Sequence, residues 1–314
     1  MAQHDYVIDN STGANVRADI NNALLAISSN NSGSSAPSTN YASQFFANTS
    51  TSIMQLRNTS NNAHVNLFTL AGGPAFALNG TINGVNVGKG SNSVTNNTAY
   101  GGAALDASVS GGNNTAIGQN TLTENTSGQF NTAIGSLALA ANTTASGNTA
   151  LGYAALDAVT TSTGHTALGY LALSSNTTGN NNTAVGYNAG GAITTGGQNV
   201  VMGTLALDAC TEGNNNVGIG HLSLTANTTG GNNIAVGRDA LAANTTANNN
   251  TGLGHEALKV NTTGTQNTAV GAYALDANTT AENNTAVGYT ALGANTTGAR
   301  NVAVGTFSLD ANTT

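Results

Sequence analysis

A glycine recurs every 17 residues through the second part of the chain, without a slip in spacing. The series is Gly101, Gly118, Gly135, Gly152, Gly169, Gly186, Gly203, Gly220, Gly237, Gly254, Gly271, Gly288 and Gly305. Written from the Asn four places before each Gly, the unit reads N-T-A-V-G-x-x-A-L-x-A-N-T-T-G-x-N, as in residues 267–283, and twelve full units and a partial thirteenth fit. A fixed period of this length predicts a repeat architecture whose units bury their apolar residues by stacking on one another.

Two apolar columns accompany the glycines. The residue before each Gly is apolar throughout, and the residue four places after it is Leu except at Gly190. We expect these two columns to form the core, with two short strands per unit, around N-T-A-V-G and around A-L-x-A. Turns then fall at x-x and N-T-T-G, because Asn and Gly tolerate positive φ. Since Asn, Thr and Gly disfavour helix, the prediction for residues 97–314 is a mainly β fold, a parallel β-roll or β-solenoid of 17-residue coils.

The polar residues of the unit are also in register. Asn opens the unit at twelve of thirteen places, with His165 as the exception, and stacking would place these side chains in a ladder that satisfies backbone groups of the turns. Strand alternation puts Thr and Val on one face and Asn, Ala and Gly on the other. A 17-residue coil encloses few side chains, so a single roll would be thin. We therefore expect a homotrimer that packs through the small-residue face.

Composition excludes several classes of protein. Only 6% of the residues are charged, yet 39% are apolar, and the net charge of -7 is too low for a solvated disordered chain. Six Lys and Arg residues make no basic stripe, so no nucleic-acid partner is expected. Neither a secretory signal pattern nor a stretch of about 18 apolar residues is present, so no membrane insertion is expected. The single cysteine, Cys210, cannot form an intrachain disulfide.

The N-terminal third reads as a small α+β module. Residues 1–30 contain Val16, Ile20, Leu24 and Ile27 at helical spacing and form a candidate docking segment. Residues 31–40 are a polar linker, and residues 41–72 are a small β module with strands predicted over 41–47, 53–57 and 64–70. Residues 73–96 are a transition to the repeats.

No catalytic, metal or cofactor site is predicted, so the chain is not expected to be an enzyme. The aspartates of the repeats share one column beside the core Leu, where solvent exposure is the simpler explanation than paired catalytic carboxylates; they are Asp106, Asp157, Asp208, Asp276 and Asp310. His221 and His255 share a column two coils apart, about 10 Å, which is too far to share a metal ion. Calcium is not expected either, because Asn and Thr stand where calcium-binding rolls need Asp.

Three tyrosines offer the remaining candidate. Tyr153, Tyr170 and Tyr187 follow the Gly in three successive coils, which predicts a ladder of rings. Such a ladder either offers a stacking platform for sugars or simply stabilises the stacked turns, and the second interpretation is the simpler one.

Two resemblances connect these features to known families. The N-T-A-[VIL]-G unit of residues 97–314 resembles the N-S-V-A-I-G motif in the heads of trimeric autotransporter adhesins, which implies a left-handed parallel β-roll packed as a trimer. It departs from that family in its period of 17 and in Thr115 and Thr268, which stand where the family has Val. Residues 1–72 look like the start of tail-fibre proteins of short-tailed marine phages, which pair this segment with long repetitive shafts.

The resemblances imply a function. We expect a structural, homotrimeric phage tail fibre, part of the extracellular virion, whose N-terminus binds a tail or adaptor protein. Its shaft would extend towards a host cell-surface receptor such as a glycan. The alternatives are a bacterial surface adhesin and an ice- or surface-binding solenoid that uses the regular Thr residues of N-T-T.

Overall fold

A computed structural model of the 314-residue chain describes residues 45–48, 53–57, 64–69, 80–82, 85–90, 94–108 and 110–314. Within these ranges every regular element is a β-strand. No helix suited to crossing a membrane occurs in them. The helix and linker predicted within residues 1–40 lie outside the described residues.

Strands β1–β6 have three to six residues each: β1 (Phe45–Asn48), β2 (Ile53–Arg57), β3 (His64–Thr69), β4 (Gly80–Ile82), β5 (Val85–Gly88) and β6 (Thr98–Gly101). The twelve later strands have three residues each: β7 (Thr115–Ile117), β8 (Thr132–Ile134), β9 (Thr149–Leu151), β10 (Thr166–Leu168), β11 (Thr183–Val185), β12 (Val200–Met202), β13 (Val217–Ile219), β14 (Ile234–Val236), β15 (Thr251–Leu253), β16 (Thr268–Val270), β17 (Thr285–Val287) and β18 (Val302–Val304).

The described strands belong to two compact units that divide between Leu78 and Asn79. In the first unit, β1, β2 and β3 form an antiparallel sheet in that order, at the positions that sequence analysis predicted for three strands. In the second unit, β4–β18 form one 15-stranded sheet in chain order. Neighbours from β6 to β18 are parallel and in register, so that Thr166 lies opposite Thr183 and Leu168 opposite Val185. The predicted parallel solenoid of 17-residue coils is therefore confirmed.

Each coil contains one strand, and the prediction of a second strand around A-L-x-A is wrong. This part of the coil consists of two tight turns, closed for example by hydrogen bonds from Ala138 N–H to Gly135 O (3.2 Å) and from Asn142 N–H to Leu139 O (3.2 Å). The core Leu itself has φ near +50°, as at Leu139 (51°), and so does the second residue after Gly, as at Leu137 (62°). The left-handed backbone conformation prevents this segment from forming a strand, although Leu139 N–H still donates to Ala155 O of the next coil (3.0 Å).

Only one of the two predicted core columns lies inside. Leu122, Leu139, Leu156 and Leu173 are fully buried in one interior row, as predicted. The middle residue of each strand, usually Ala, also points inwards and is buried. The column before Gly points outwards instead: Ile117 is 37% and Leu151 46% exposed. A three-residue strand places its first and third residues on one face, so burial of the small middle residue forces its larger neighbours out.

The opening Asn forms the ladder that sequence analysis predicted. The backbone N–H of Asn131 donates to Asn114 Oδ1 (2.9 Å), and Asn131 Nδ2 donates to Ala145 O (2.9 Å). Equivalent N–H bonds continue from Asn97 to Asn301 without a break. The coils are therefore joined by polar groups inside the roll as well as by the sheet. In this ladder Asn301 Nδ2, at the last rung, is buried without a partner.

A second buried ladder is formed by the Asn of N-T-T, and it is interrupted. Asn244 Nδ2 donates to Asn227 Oδ1 (2.9 Å) in the regular part. Val159 stands in this column in place of an Asn. On either side of it one buried amide atom lacks a hydrogen-bond partner: Asn142 Oδ1 before it and Asn176 Nδ2 after it. A buried polar atom without a partner costs about 1–3 kcal/mol, so Val159 weakens the ladder locally.

The Leu column has one exception, Gly190, and a residue from the second Asn column fills the space that the missing Leu would leave. Gly190 stands where other coils have Leu, and Ile193 stands where most have Asn and is fully buried. A Cβ on Gly190 would lie 2.9 Å from Ile193 Cδ1 and 3.1 Å from Leu173 Cδ2. The Ile193 side chain therefore occupies the space of the missing Leu.

The repeating glycine is required by close contact between coils. A Cβ on Gly220 would lie 2.5 Å from the carbonyl oxygen of Gly237 in the next coil, and φ at Gly220 is +131°. Any side chain at this position would push two hydrogen-bonded coils apart, which explains the spacing that the sequence shows.

The first edge of the solenoid is covered by the segment that sequence analysis treated as a transition. Within residues 73–96, β4 and β5 form an antiparallel pair. Strand β5 then pairs antiparallel with β6, so that Val87 lies opposite Tyr100 and Gly88 opposite Ala99. This pairing satisfies the backbone groups of β6 that would otherwise form an open edge.

Candidate functional site

The outward face of strands β6–β18 is the largest candidate interaction surface of the described residues. It carries two columns, the first and third residues of each strand. The third residue is apolar in every strand, and the first is Thr or a β-branched apolar residue. We call this surface the outward sheet face. Exposed positions along it include Tyr100, Leu151, Val200, Met202 and Val304.

The size of this face can be compared with known interfaces. Thirteen strands at about 4.8 Å each give a length of about 60 Å, and three residues per strand give a width of about 10 Å. The resulting area of about 600 Å² approaches the roughly 800 Å² per partner that a stable complex buries. The third column is apolar in all thirteen strands, whereas the first column is Thr in nine of them, so the apolar part is about half of this area. Exposed apolar patches of a few hundred Å² are candidate interaction sites.

The small-residue face expected to mediate trimer packing is the inside of the coil. Ala116, Ala150 and Ala184 on the middle strand column are fully buried within the chain itself. A second copy cannot contact them, so that predicted interface is wrong. The outward sheet face, by contrast, is not covered by the chain itself.

The three tyrosines form the predicted ladder. Ring centroids of Tyr153 and Tyr170 are 5.2 Å apart, those of Tyr170 and Tyr187 are 5.4 Å apart, and both pairs are stacked. Because the rings stack on one another, both faces of Tyr170 are covered and only ring edges and hydroxyl groups meet solvent. A sugar ring stacks on an aromatic face, so this geometry favours the structural interpretation of the ladder.

The aspartate column offers no paired carboxylates. No two of its members occupy adjacent coils; the closest two, Asp276 and Asp310, are two coils apart, or about 10 Å. Asp208 Oδ1 accepts a hydrogen bond from Thr225 Oγ1 of the next coil (2.6 Å). Partial burial raises the pKa of Asp157 and of Asp276 above their usual range. The column is partly buried to exposed and suits a structural role.

Two buried groups have shifted pKa values for structural reasons. Burial lowers the pKa of His165 to about 4, although hydrogen bonds to Asn182 and Gly179 oppose the shift. Burial likewise raises the pKa of the Cys210 thiol to about 11, which makes the thiol a poor nucleophile. Neither group lies near the outward sheet face, because both occupy the buried Asn columns.

Of the two Thr columns of N-T-T, the first is engaged in the fold. Its hydroxyl donates to the backbone of the next coil, as from Thr143 Oγ1 to Thr160 O (3.1 Å). The second Thr column is exposed, and Ser127 and Glu212 interrupt it. Between these interruptions it forms one run of four Thr residues, from Thr144 to Thr195, and after them one run of six, from Thr229 to Thr314.

Sequence reasoning missed a cluster of possible metal ligands in the turns after the glycines. One ligand atom each from Asp239, His255 and Glu256 lies within 4.8 Å of the other two. The signal was the period itself: Asp239 and Glu256 are 17 residues apart and therefore stack, and His255 adjoins Glu256. The sequence places His255 in one column with His221, but the carboxylates near it, Asp239 and Glu256, belong to the adjacent column.

No protein-family model matches this chain, and neither a curated protein nor a solved structure matches it. The described repeats form a parallel β-solenoid with an exposed apolar column on its sheet.

Proposed function

We propose that the chain is a structural fibre protein that assembles through its outward sheet face into a homotrimer, as the tail fibre of a short-tailed phage. In this function residues 1–30 bind a tail or adaptor protein, and the repeats form an extracellular shaft directed towards a host receptor. The observation that carries the proposal is the uncovered apolar column along thirteen in-register strands. The trimeric state and the assignment to a phage rest on the two family resemblances, that of the repeat and that of residues 1–72.

Self-association follows from the energetics of the exposed column. At about 25 cal/mol per Å², the apolar half of this face, roughly 300 Å², would contribute about 7 kcal/mol per chain before the entropic costs of association. The interior of one coil can hold as little as one Leu and two small residues in its apolar part, as at Ala167, Ala172 and Leu173. Covering the outward face would therefore add substantially to a thin core.

The stacked coils suit a shaft. Each coil is joined to the next by the sheet, by turn hydrogen bonds such as Leu156 N–H to Ala172 O (3.0 Å), and by the Asn ladder inside. A spacer under force along its axis loads these bonds together rather than one by one. This is a mechanical property that a fibre needs and an enzyme does not.

The covered first edge supports a docking role for residues 1–30. A cap on β6 was the competing explanation for the N-terminal segment, and β5 already pairs with β6. Residues 1–30 are therefore not required to close that edge, which favours a partner outside the chain.

Solution mass tests the self-association. Leu151→Lys and Met202→Lys place charges on the outward sheet face at side chains that are each 46% exposed, so the single chain should still fold. We expect a trimer for the native chain and a folded monomer for the double variant. The matched control is Thr178→Lys with Thr195→Lys, at exposed positions away from that face. A folded monomer of the native chain would contradict the proposal.

Particle incorporation tests the assignment to a phage. A chain lacking residues 1–30 should form the shaft and be missing from purified virions, whereas the native chain should be present on them. Truncated fibres that assemble normally onto particles would contradict docking through this segment. Detection of the native chain on bacterial cells and not on particles would favour the surface adhesin.

A further inference from the structure

We infer that Asp239, His255 and Glu256 form a binding site for a transition-metal dication such as Zn²⁺, which would clamp two adjacent coils together. One nitrogen and two carboxylate ligands would come from the coil of Gly237 and the coil of Gly254. The inference is independent of the proposed fibre function, since it concerns one chain and residues outside the strands.

The backbone fixes the ligands at neighbouring positions. Glu256 N–H donates to Arg238 O (2.9 Å), which joins the turn that carries Asp239 to the turn that carries the other two residues. Both Asp239 and Glu256 have φ of +56°, so the two turns share one conformation and their carboxylates project in the same way. The register of the solenoid therefore brings the ligands together without a flexible loop.

The side chains are close to coordinating distance. His255 Nε2 lies 3.6 Å from a carboxylate oxygen of Glu256. Ligand atoms about 2.0–2.2 Å from a tetrahedral zinc ion are about 3.3 Å from each other, so small rotations of His255 and Glu256 would close the site. Tyr273 of the next coil packs edge-on against the His255 ring, with centroids 5.2 Å apart, and limits its orientation. The site is thus largely preorganised.

The nature of the ligands selects the metal. An imidazole nitrogen suits zinc and other first-row transition metals, whereas calcium and magnesium prefer sites made of oxygen ligands alone. Two carboxylates neutralise the charge of a dication, and three protein ligands leave a fourth position for water. Asp276 adds to the negative potential, because its carboxylate interacts with Glu256.

Two cations compete for the carboxylates and can be displaced. Arg238 Nε lies 3.1 Å from Asp239, and Lys259 Nζ lies 3.1 Å from Glu256. The Arg238 side chain is 61% exposed and that of Lys259 40% exposed, so both can turn into solvent. Only the cationic side of each pair is exposed, because the carboxylates of Asp239 and Glu256 are 8% and 19% exposed, and a dication held by three ligands would take the place of both cations.

His221 provides a matched control within the same column. It stands two coils before His255, and the positions that correspond to Asp239 and Glu256 are occupied there by Leu205 and Leu222. His221 is therefore an exposed imidazole with no carboxylate at those two equivalent positions, although Asp239 of the following coil donates its backbone N–H to His221 O (3.0 Å). A difference in zinc binding between the His221 and His255 variants would therefore be due to the cluster and not to a histidine alone.

Titration calorimetry with Zn²⁺ on the full chain tests the site, with Mg²⁺ and Ca²⁺ as competing ions. The native chain and His221→Ala should bind Zn²⁺ with equal affinity at this site. His255→Ala, Asp239→Asn and Glu256→Gln should each lose at least about tenfold in affinity, the lower end of what removing even an outer-shell partner costs. Circular dichroism must show that every variant keeps its strand content. Comparison with His255→Ala cancels binding by other histidines of the chain.

Cobalt spectroscopy gives a second measurement. Co²⁺ bound at the site should give visible absorption of tetrahedral or five-coordinate type that is present in His221→Ala and absent in His255→Ala. Zinc should also raise the melting temperature of the native chain and not that of Glu256→Gln. Equal zinc binding by His255→Ala and the native chain, or no zinc binding by the native chain, would overturn the inference.

Discussion

His165 should make the stability of the solenoid depend on pH. It occupies the opening Asn column and is fully buried, at 1% exposure. Its ring Nδ1 accepts a hydrogen bond from the backbone N–H of Asn182 (3.2 Å), as an Asn Oδ1 does elsewhere in the column. The backbone N–H of His165 donates to Asn148 Oδ1 (2.9 Å). Protonation of Nδ1 would remove this acceptor and place an unpaired charge in the core. The ring is therefore neutral in the folded chain.

The magnitude follows from the pKa shift. Burial lowers the pKa of His165 from 6.5 to about 4. Above pH 6.5 the imidazole is neutral in both the folded and unfolded states, so it contributes no pH dependence. Between pH 6.5 and 4 only the unfolded state binds the proton, so the free energy of unfolding falls as pH falls. The shift corresponds to a total loss of about 3 kcal/mol, complete below pH 4.

Urea unfolding of the native chain and His165→Asn, followed by circular dichroism from pH 7.5 to 4, measures this loss. The variant should gain relative stability on acidification, by about 3 kcal/mol at pH 4. Burial raises the pKa of Asp157 and Asp276, so acidification favours folding through them, but both carboxylates are present in both proteins and cancel in the difference. His221→Asn, at an exposed position, is the control. A stability difference that stays constant with pH would refute the reasoning.

Three further tests, which use five substitutions, address the packing of the coils. Val159→Asn should raise the melting temperature slightly, by about 1 kcal/mol of stability, because pairing two orphaned amide atoms outweighs the lost Val burial; a lower melting temperature would contradict this. Gly190→Leu should destabilise the chain by roughly 1–3 kcal/mol in urea unfolding, and Ile193→Asn in the same chain should recover most of the loss; strictly additive costs would show that the two sites are not coupled. Gly220→Ala should cost about 3 kcal/mol or more and Gly305→Ala clearly less, because a Cβ on Gly305 has no neighbour closer than 3.9 Å; equal melting temperatures would assign the cost to backbone conformation alone.

The parts of the fold that depend on period alone could be predicted. The spacing of 17 fixed which residues stack, so the parallel register, the buried Leu row and the Asn ladder followed from it. The conformation within a coil did not follow. Leu156 has φ of +54°, in the left-handed region that residues other than Gly and Asn rarely adopt, and local propensity would place it in a strand. Full burial of its side chain and coil-to-coil hydrogen bonding outweigh that preference in this structure.

The direction of the strand residues was the other point that sequence could not decide. Ala150 and Leu151 are adjacent and both apolar, so alternation permits either to face the core. In this coil the interior already contains Leu156, Val159 and the amide of Asn148, all fully buried, and Ala150 is the strand residue that joins them. The larger residue is therefore excluded from the core, and the apolar columns that sequence analysis counted as one core separate into an interior row and an exposed face.

That separation changes which substitutions can inform on function. A polar residue at Leu156 would test only whether the coil folds, because its side chain is fully buried, whereas a polar residue at Leu151 leaves the coil interior intact. The same distinction applies to the turns after the glycines, where side chains such as Tyr153 and His255 are at least partly exposed. The residue at this place varies along the solenoid, although three successive coils share Tyr. Interior columns that repeat hold the coils together, and outward columns that vary from coil to coil are where binding to another chain or to an ion can be acquired without cost to the stack.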